Sequence, residues 1–323
     1  DKANVAFGIG TFIVCDTKLR HMNQVLKVIK AKYNGLNKYN DVAKLSDVEG
    51  KNMCENSNYI NYLRRVIEWR LNNDNVNKNN IYNFDAKKTI NEIISHIQKY
   101  FKDNNLPNKV IFGISGGKDS SVVAGLAVKA FGNENVIGVE MPNGIQSDIA
   151  DADKIIEFLR IKKKVVNIEN AYKALTESID LKGDNYYYKT NTPARLRMCS
   201  LYGLSHIENA IVLNTCNLSE DILGYSTFYG DSCGSYAPIS KLTVTEVIQI
   251  GIELGLPNEL ILKTPSDGMC GSSDEENLSK SLNINEFTYK RFDKLIRGLE
   301  HDFNEEEINR ITKRYNQMKY KID

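Results

Sequence analysis

Val110-Ile111-Phe112-Gly113-Ile114 runs into Ser115-Gly116-Gly117-Lys118-Asp119-Ser120, and an Ala-, Val- and Leu-rich stretch follows over 121–131. The apolar run lies between Pro107 and Gly116-Gly117, and it predicts a buried strand. The stretch after it predicts a helix. Strand, glycine turn and helix in that order open a parallel α/β unit.

Working outward, the alternation continues. The sequence predicts strands over 136–141, 164–168 and 210–214, and helices over 85–101, 148–160, 193–207, 243–254 and 304–319. Thr192 reads as the N-cap of the 193–207 helix, with Pro193 at its first position. Thr243 and Glu246 have the spacing of a capping box. Glu305, Glu306 and Glu307 open the last helix against its dipole. Continuous apolar strands alternating with helices predict an α/β fold: a doubly wound, Rossmann-like parallel sheet with helices on both faces. Ligands then sit beyond the carboxyl ends of the strands.

The run Asn72-Asn73-Asp74-Asn75-Val76-Asn77-Lys78-Asn79-Asn80 has a single apolar residue and reads as loop or linker. It divides an N-terminal piece, 1–80, from a second domain, 81–323. In the first piece an apolar run over 5–14 is expected as strand, and Met22, Val25, Leu26 and Ile29 share one helical face. A second helical stretch falls around 59–71. Gly8-x-Gly10 lacks the third glycine of a dinucleotide fingerprint and reads as a strand bend. Cys15 and Cys54 read as small buried hydrophobes. No chemistry can be assigned to this piece.

The 323 residues carry 42 basic and 41 acidic side chains, a net charge of +1. That balance excludes a strongly basic grip on nucleic acid and a polybasic membrane anchor as the main activity. No apolar run approaches the roughly 18–20 residues that span a bilayer. The six cysteines form no CxxC pair, which argues against a zinc site or disulfide scaffold and for reduced thiols in a cytoplasmic protein. Residue 1 is Asp, which reads as a processed or trimmed start, with no secretory signal pattern.

The glycine turn carries the chemistry. Its two glycines let the backbone approach a ligand, and the hydroxyls of Ser115, Ser120 and Ser121 can surround a phosphate at a helix N-terminus. It is not a Walker A loop, since Phe112 and Asp119 stand where that pattern needs Gly and Ser or Thr. An Asp in a phosphate loop implies a divalent cation between the two charges, hence Mg²⁺.

This loop resembles the SGGxDS pyrophosphate loop of the N-type ATP pyrophosphatases, with their adenine nucleotide alpha hydrolase-like fold. Further segments narrow the likeness. Asn191-Thr192-Pro193-Ala194-Arg195-Leu196-Arg197-Met198 is similar to the NxxARxRM segment of NAD synthetases. Gly224-Tyr225-Ser226-Thr227-Phe228-Tyr229-Gly230-Asp231 resembles their GYxTxYGD stretch. Asn214 to Asp221 resembles their metal-binding turn. Lys263-Thr264-Pro265-Ser266-Asp267 and Ser273-Asp274-Glu275 resemble their KxPxxD and DE loops. The ordered segments extend over roughly 85–320.

The resemblance implies a ligase that adenylates the nicotinate carboxylate of deamido-NAD with ATP and Mg²⁺, releases pyrophosphate, and lets ammonia displace AMP to give NAD. It implies ATP contacts from Gly113, Ser115, Gly116, Gly117, Lys118, Asp119, Ser120, Ser121, Arg195, Thr215 and Ser266. Deamido-NAD falls to Arg197, Tyr225, Tyr229, Asp231, Asp274 and Lys313, and the metal to Asp119 and Glu220. Asp231, Lys263 and Asp119 are the expected catalytic residues. The residue chemistry is compatible: guanidinium suits phosphate and adenine, two carboxylates from two strand ends can clamp one metal, and an acid concentrates ammonium before deprotonation. The same residues also have plainer readings: a solvated Arg pair, a first-turn acid at Glu220, packing tyrosines and a surface Lys263.

Val244, Ser235 and Thr312 depart from common family residues. They put contacts from the mobile loop and the tail in question. A fused nitrilase-type glutaminase would need on the order of 250 residues, so free ammonia is the expected nitrogen source. A homodimer is the family's usual state. Two alternatives stand beside this reading: another adenylating amidotransferase of the same loop class, and a catalytically weak ATP-sensing module.

Overall fold

The computed structural model describes residues 84–145, 149–263 and 273–321. The readings for 1–80, including its strand, helices, glycines and cysteines, lie outside the described residues, as does Ser266. The chain divides into two units, one carrying Phe84–Lys290 with the tail from Gln317, the other including Arg291–Asn316.

In the larger unit, helix α1 (Ala86–Asp103) leads into β1 (Val110–Gly113), α2 (Lys118–Phe131), β2 (Val136–Glu140), α3 (Ile149–Leu159) and β3 (Lys162–Val165). Then come α4 (Glu169–Ser178), α5 (Tyr186–Glu208), β4 (Ile211–Val212), α6 (Leu218–Leu223), α7 (Val244–Glu253), α8 (Asn258–Ile261) and α9 (Asp274–Leu282). Two further helices, α10 (Tyr289–Arg297) and α11 (Glu305–Met318), run through residues 291–316. There Arg291 pairs with Asp302 at 2.8 Å and stacks its guanidinium 4.5 Å from the Phe303 ring centroid.

The sheet is parallel with order β3-β2-β1-β4. Alternate side chains of β1 feed two cores. Val110 and Phe112 pack with Phe101, Val122, Leu126 and Val247 on one face, while Ile111 joins Ile137, Val139 and Val212 on the other, against Leu196 and Leu201 of α5. Both faces are therefore covered, as the apolar strands predict. Phe101 and Phe112 are fully buried, and truncating either to Ala would cost about 3–5 kcal/mol.

Two of the expected elements are shifted from the sequence reading, and α4, α8, α9 and α10 were not among those it named. The third strand is Lys162–Val165 rather than 164–168. It is an edge strand paired on one side, so its residues need not be apolar, and Ile168 instead packs into the core at the start of α4. Helix α5 starts at Tyr186, not Pro193, because the Asn185 side chain caps it by accepting from the Tyr188 amide at 3.0 Å. Pro193 sits inside the helix, where its ring removes one backbone donor.

The strand order reverses at β1. The chain adds β2 and β3 on one side of it and returns to place β4 on the other. The crevice between the carboxyl ends of β1 and β4 is thus the topological switch point where such sheets bind ligands.

Candidate active site

Residues 114–117 leave β1 at this crevice. Gly113 ends the strand, and a Cβ there would lie 3.0 Å from Met141 Cε. Gly116 has φ +75°, and a Cβ on it would come within 2.5 Å of the Ala152 amide and Asp151. Only glycine fits both the conformation and the space.

The loop is braced from within. The Gly117 amide donates to Ser115 Oγ at 3.2 Å, and the Ser120 and Ser121 hydroxyls donate to the Gly117 carbonyl at 3.1 and 2.8 Å. Ser120 and Ser121 are buried, so their hydroxyls shape the turn. No side chain caps α2 at Gly117. Its first-turn amides and dipole are what the loop offers an anion.

Asp119 lies in that first turn, with both carboxylate oxygens held. Oδ1 accepts from Asn217 Nδ2 at 2.9 Å and Oδ2 accepts from Lys118 Nζ at 2.8 Å. Asn217 comes from the loop after β4. Its Oδ1 also accepts from the Glu220 amide, while its own amide donates to Glu220 Oε2 at 3.2 Å, completing a capping box on α6. One asparagine therefore orients both Asp119 and Glu220. Sequence reading passed over it, although Asn three residues before Glu is a capping-box signature.

Burial pushes the Glu220 carboxyl well up, and neighbouring Asp119 adds to the shift. Such a carboxylate calls for a cation. Among the described residues no three His, Cys, Asp or Glu side chains gather into a metal site of their own. Two carboxylates with phosphate oxygens and water are nonetheless the usual donor set for Mg²⁺. The buried Tyr289 hydroxyl has no hydrogen-bond partner among the described atoms, and Glu220, Asp274 and Asp119 all act on it. An orphaned polar group beside these acids fits a site completed by a ligand.

The other expected site residues lie on α5, in the turns after β4 and α6, and after α8. Arg195 is exposed and donates through Nε to the Phe228 carbonyl at 3.2 Å, and Arg197 donates to the Met141 carbonyl at 2.8 Å, beside the end of β2. Thr215 is partly buried in the turn after β4. Asp231 is exposed, and its Oδ1 accepts from the Thr227 amide. Buried Asn214 supports that turn by donating to the Asp231 and Cys233 carbonyls at 3.2 and 3.3 Å. Tyr225 donates to Asp274 Oδ1 at 3.4 Å. Tyr229 is exposed with φ +58°. Lys263 pairs with Asp151 at 2.8 Å, against the residue that crowds Gly116.

Lys313 lies on α11, in the other unit. The departures have structural places. Val244 is buried and its amide donates to Ser219 Oγ at 3.1 Å. Thr312 donates to the Ile308 carbonyl of its own helix at 2.8 Å, and the Ser235 amide donates to the Val212 carbonyl at 2.8 Å.

A family model for NAD synthase matches residues 89–323. A second, for the nicotinate phosphoribosyltransferase (NAPRTase) family, matches residues 1–71. The chain is 39% identical over 213 residues to the NH(3)-dependent NAD(+) synthetase of Thermococcus sibiricus, covering 66% of this chain and 80% of that protein. It is similar to the solved structure of NMN synthetase from Francisella tularensis, with TM-score 0.66, 29% identity, and 75% and 97% of the two chains covered. It also resembles the NH3-dependent NAD synthetase from Campylobacter jejuni, with TM-score 0.58, 28% identity, and 74% and 96% covered. No helix among the described residues is long and apolar enough to cross a membrane.

Proposed function

This chain belongs to the NAD synthase family, and on that premise we infer that it amidates deamido-NAD to NAD with ammonia and ATP, through an adenylated intermediate. The single observation that carries the reading is Asn217 joining Asp119 to Glu220 at the β1–β4 crevice, beside an uncapped glycine loop. Another adenylating activity, or ATP sensing without turnover, has no comparable support.

In this mechanism the nicotinate carboxylate attacks the α-phosphorus of ATP, and the bond to pyrophosphate breaks. Gly116, Gly117 and the first-turn amides of α2 hold the departing phosphates, helped by Ser115, Lys263, Thr215 and Ser266. Mg²⁺, when bound by Asp119 and Glu220, would neutralise charge developing on the phosphate oxygens. Arg195 grips the ATP and Arg197 the dinucleotide, with Tyr225, Tyr229 and Asp274. Asp231, fixed by the Thr227 amide, attracts ammonium and takes its proton. Ammonia then attacks the acyl carbon and AMP leaves with one carboxylate oxygen.

The proposal extends to a homodimer in the cytoplasm: the first is the family's usual state, and cysteines without a CxxC pair suit the second. It also treats 1–80 as a piece distinct from the catalytic 81–323. The likeness of 1–71 to nicotinate phosphoribosyltransferases associates that piece with chemistry on the same nicotinate group.

The test supplies ATP, Mg²⁺, ammonium and deamido-NAD, and follows NAD and AMP. Equal amounts of both are expected, with nicotinate mononucleotide a poorer substrate. ATP binding without NAD formation, or preference for the mononucleotide, would overturn the reading.

A further inference from the structure

The stretch from Gly224 to Asp231 carries three of the groups the proposed function uses, Tyr225, Tyr229 and Asp231, yet it is built only of turns and bends. One hold on it is Thr227, whose hydroxyl donates to Asn191 Oδ1 at 2.9 Å. A second comes from the end of the chain. A 3₁₀ turn, Lys319–Lys321, follows α11, and the tail from Gln317 belongs to the same unit as the stretch it meets. Lys321 Nζ donates to the Gly224 carbonyl at 2.8 Å and to the Ser226 carbonyl at 2.7 Å. Tyr320 sets its ring edge-on to Phe228, with 5.8 Å between centroids. Gly224, at φ +59°, is the C-cap of α6, and a Cβ on it would collide with Met318.

We propose that Lys321 is a positioning residue: its ammonium clasps the Gly224 and Ser226 carbonyls and so fixes the stretch that carries Tyr225 and Asp231 to deamido-NAD and ammonium. The proposal rests on the reading of those residues as substrate groups. Two observations lead to it. A lysine ammonium has three donors and no acceptor, and here two of its bonds go to carbonyls two residues apart, which ties the stretch to the tail. Carbonyls at a helix end lack intrahelical partners, and a cation is the favourable donor there. Charge is the second observation. Loss of water raises the Asp231 carboxyl, and the Thr227 amide and the Lys321 charge draw it back. Lys321 thus lies close enough to act on Asp231, and an acid kept ionised can accept the proton that ammonium must lose.

The test compares the full chain with Lys321→Met and Lys321→Arg in two readouts. Hydrogen exchange in Lys321→Met should quicken about tenfold over residues 224–232 and keep the parent rate over 110–121. In turnover with ATP, Mg²⁺, ammonium and deamido-NAD, its KM values for ammonium and deamido-NAD should rise about tenfold, while that for ATP changes by less than about threefold. Lys321→Arg, whose fork can also donate to two carbonyls, should recover most of both. Exchange that quickens equally in the two segments, or KM values that do not split, would show a merely structural lysine and overturn the proposal while leaving the proposed function intact. If the parent itself makes no NAD, the proposed function fails and the positioning role falls with it. Should Lys321→Met not fold, Lys321→Gln, which is shorter and uncharged, should give the same split, and parent-like values there would contradict the proposal.

Discussion

Asn217 Nδ2 donates to Asp119 Oδ1 at 2.9 Å, joining the first turn of α2 to the N-cap of α6 across the crevice. Replacing Asn217 with Ala removes that bond and the cap together, so about 1–2 kcal/mol of stability should be lost. Asn217→Ser keeps a cap acceptor but cannot reach Asp119. It should regain most of the stability in denaturant melts while kcat/KM stays at least about tenfold down. Full recovery of both would show that the contact to Asp119 carries no function.

Gly116→Ala should abolish ATP binding measured by calorimetry. The new Cβ would stand 2.5 Å from the Ala152 amide in a backbone with φ +75°, and the loop would have to move. Gly117→Ala meets only the Ser115 hydroxyl, at 3.3 Å, so that variant should fold normally and lose far less affinity.

Asp221 gives a pH signature of one sign. Burial, with Asp231 beside it, raises its carboxyl to about 6, against about 3.9 when unfolded. Below both values the group is protonated in either state and has no effect. As pH rises between them the unfolded chain gives up its proton first, so native stability falls, and above 6 the loss is complete. Asp221→Asn should therefore stabilise the protein by about 1–2 kcal/mol at pH 7–8 and leave it unchanged at about pH 3, read from urea midpoints.

Glu208 gives the opposite sign. Lys109, Lys164 and Lys162 approach it at 2.8, 2.6 and 3.0 Å and hold its carboxyl well below the usual carboxylate range. Its stabilisation is present above the unfolded value of about 4.3 and fades as pH falls below it. The lysines are 29–48% exposed, so screening limits the effect to about 1–2 kcal/mol. Glu208→Gln should show that loss at pH 7, with the gap to the parent closing on acidification.

The strand, glycine turn and helix over 110–131 were legible because their signals are local: an apolar run, two glycines and a helical stretch in one window. Asp119 and Glu220 could be read as neighbours because each follows a strand at the carboxyl end of the sheet. What joins them could not. Asn217 was read as part of a turn; its cap on α6 is local, but its bond to Asp119 forms only when β4 lies beside β1. The burial of Lys118 was equally hidden, since two of the acids that act on it, Glu220 and Asp274, are distant in sequence. β3 and the start of α5 were misplaced for physical reasons, an edge strand that needs no apolar face and a cap at Asn185 that outweighed Pro193. Residues 1–80 offered no chemistry by themselves; a family model matches residues 1–71.

Oxygen transfer tests the adenylation step most directly. Deamido-NAD carrying ¹⁸O in its nicotinate carboxylate is turned over with ATP, Mg²⁺ and ammonia, and the products are weighed by mass spectrometry. The mechanism predicts one labelled oxygen in AMP, none in pyrophosphate, and one retained in the amide of NAD. Unlabelled AMP, or label in pyrophosphate, would contradict attack of the carboxylate on the α-phosphorus.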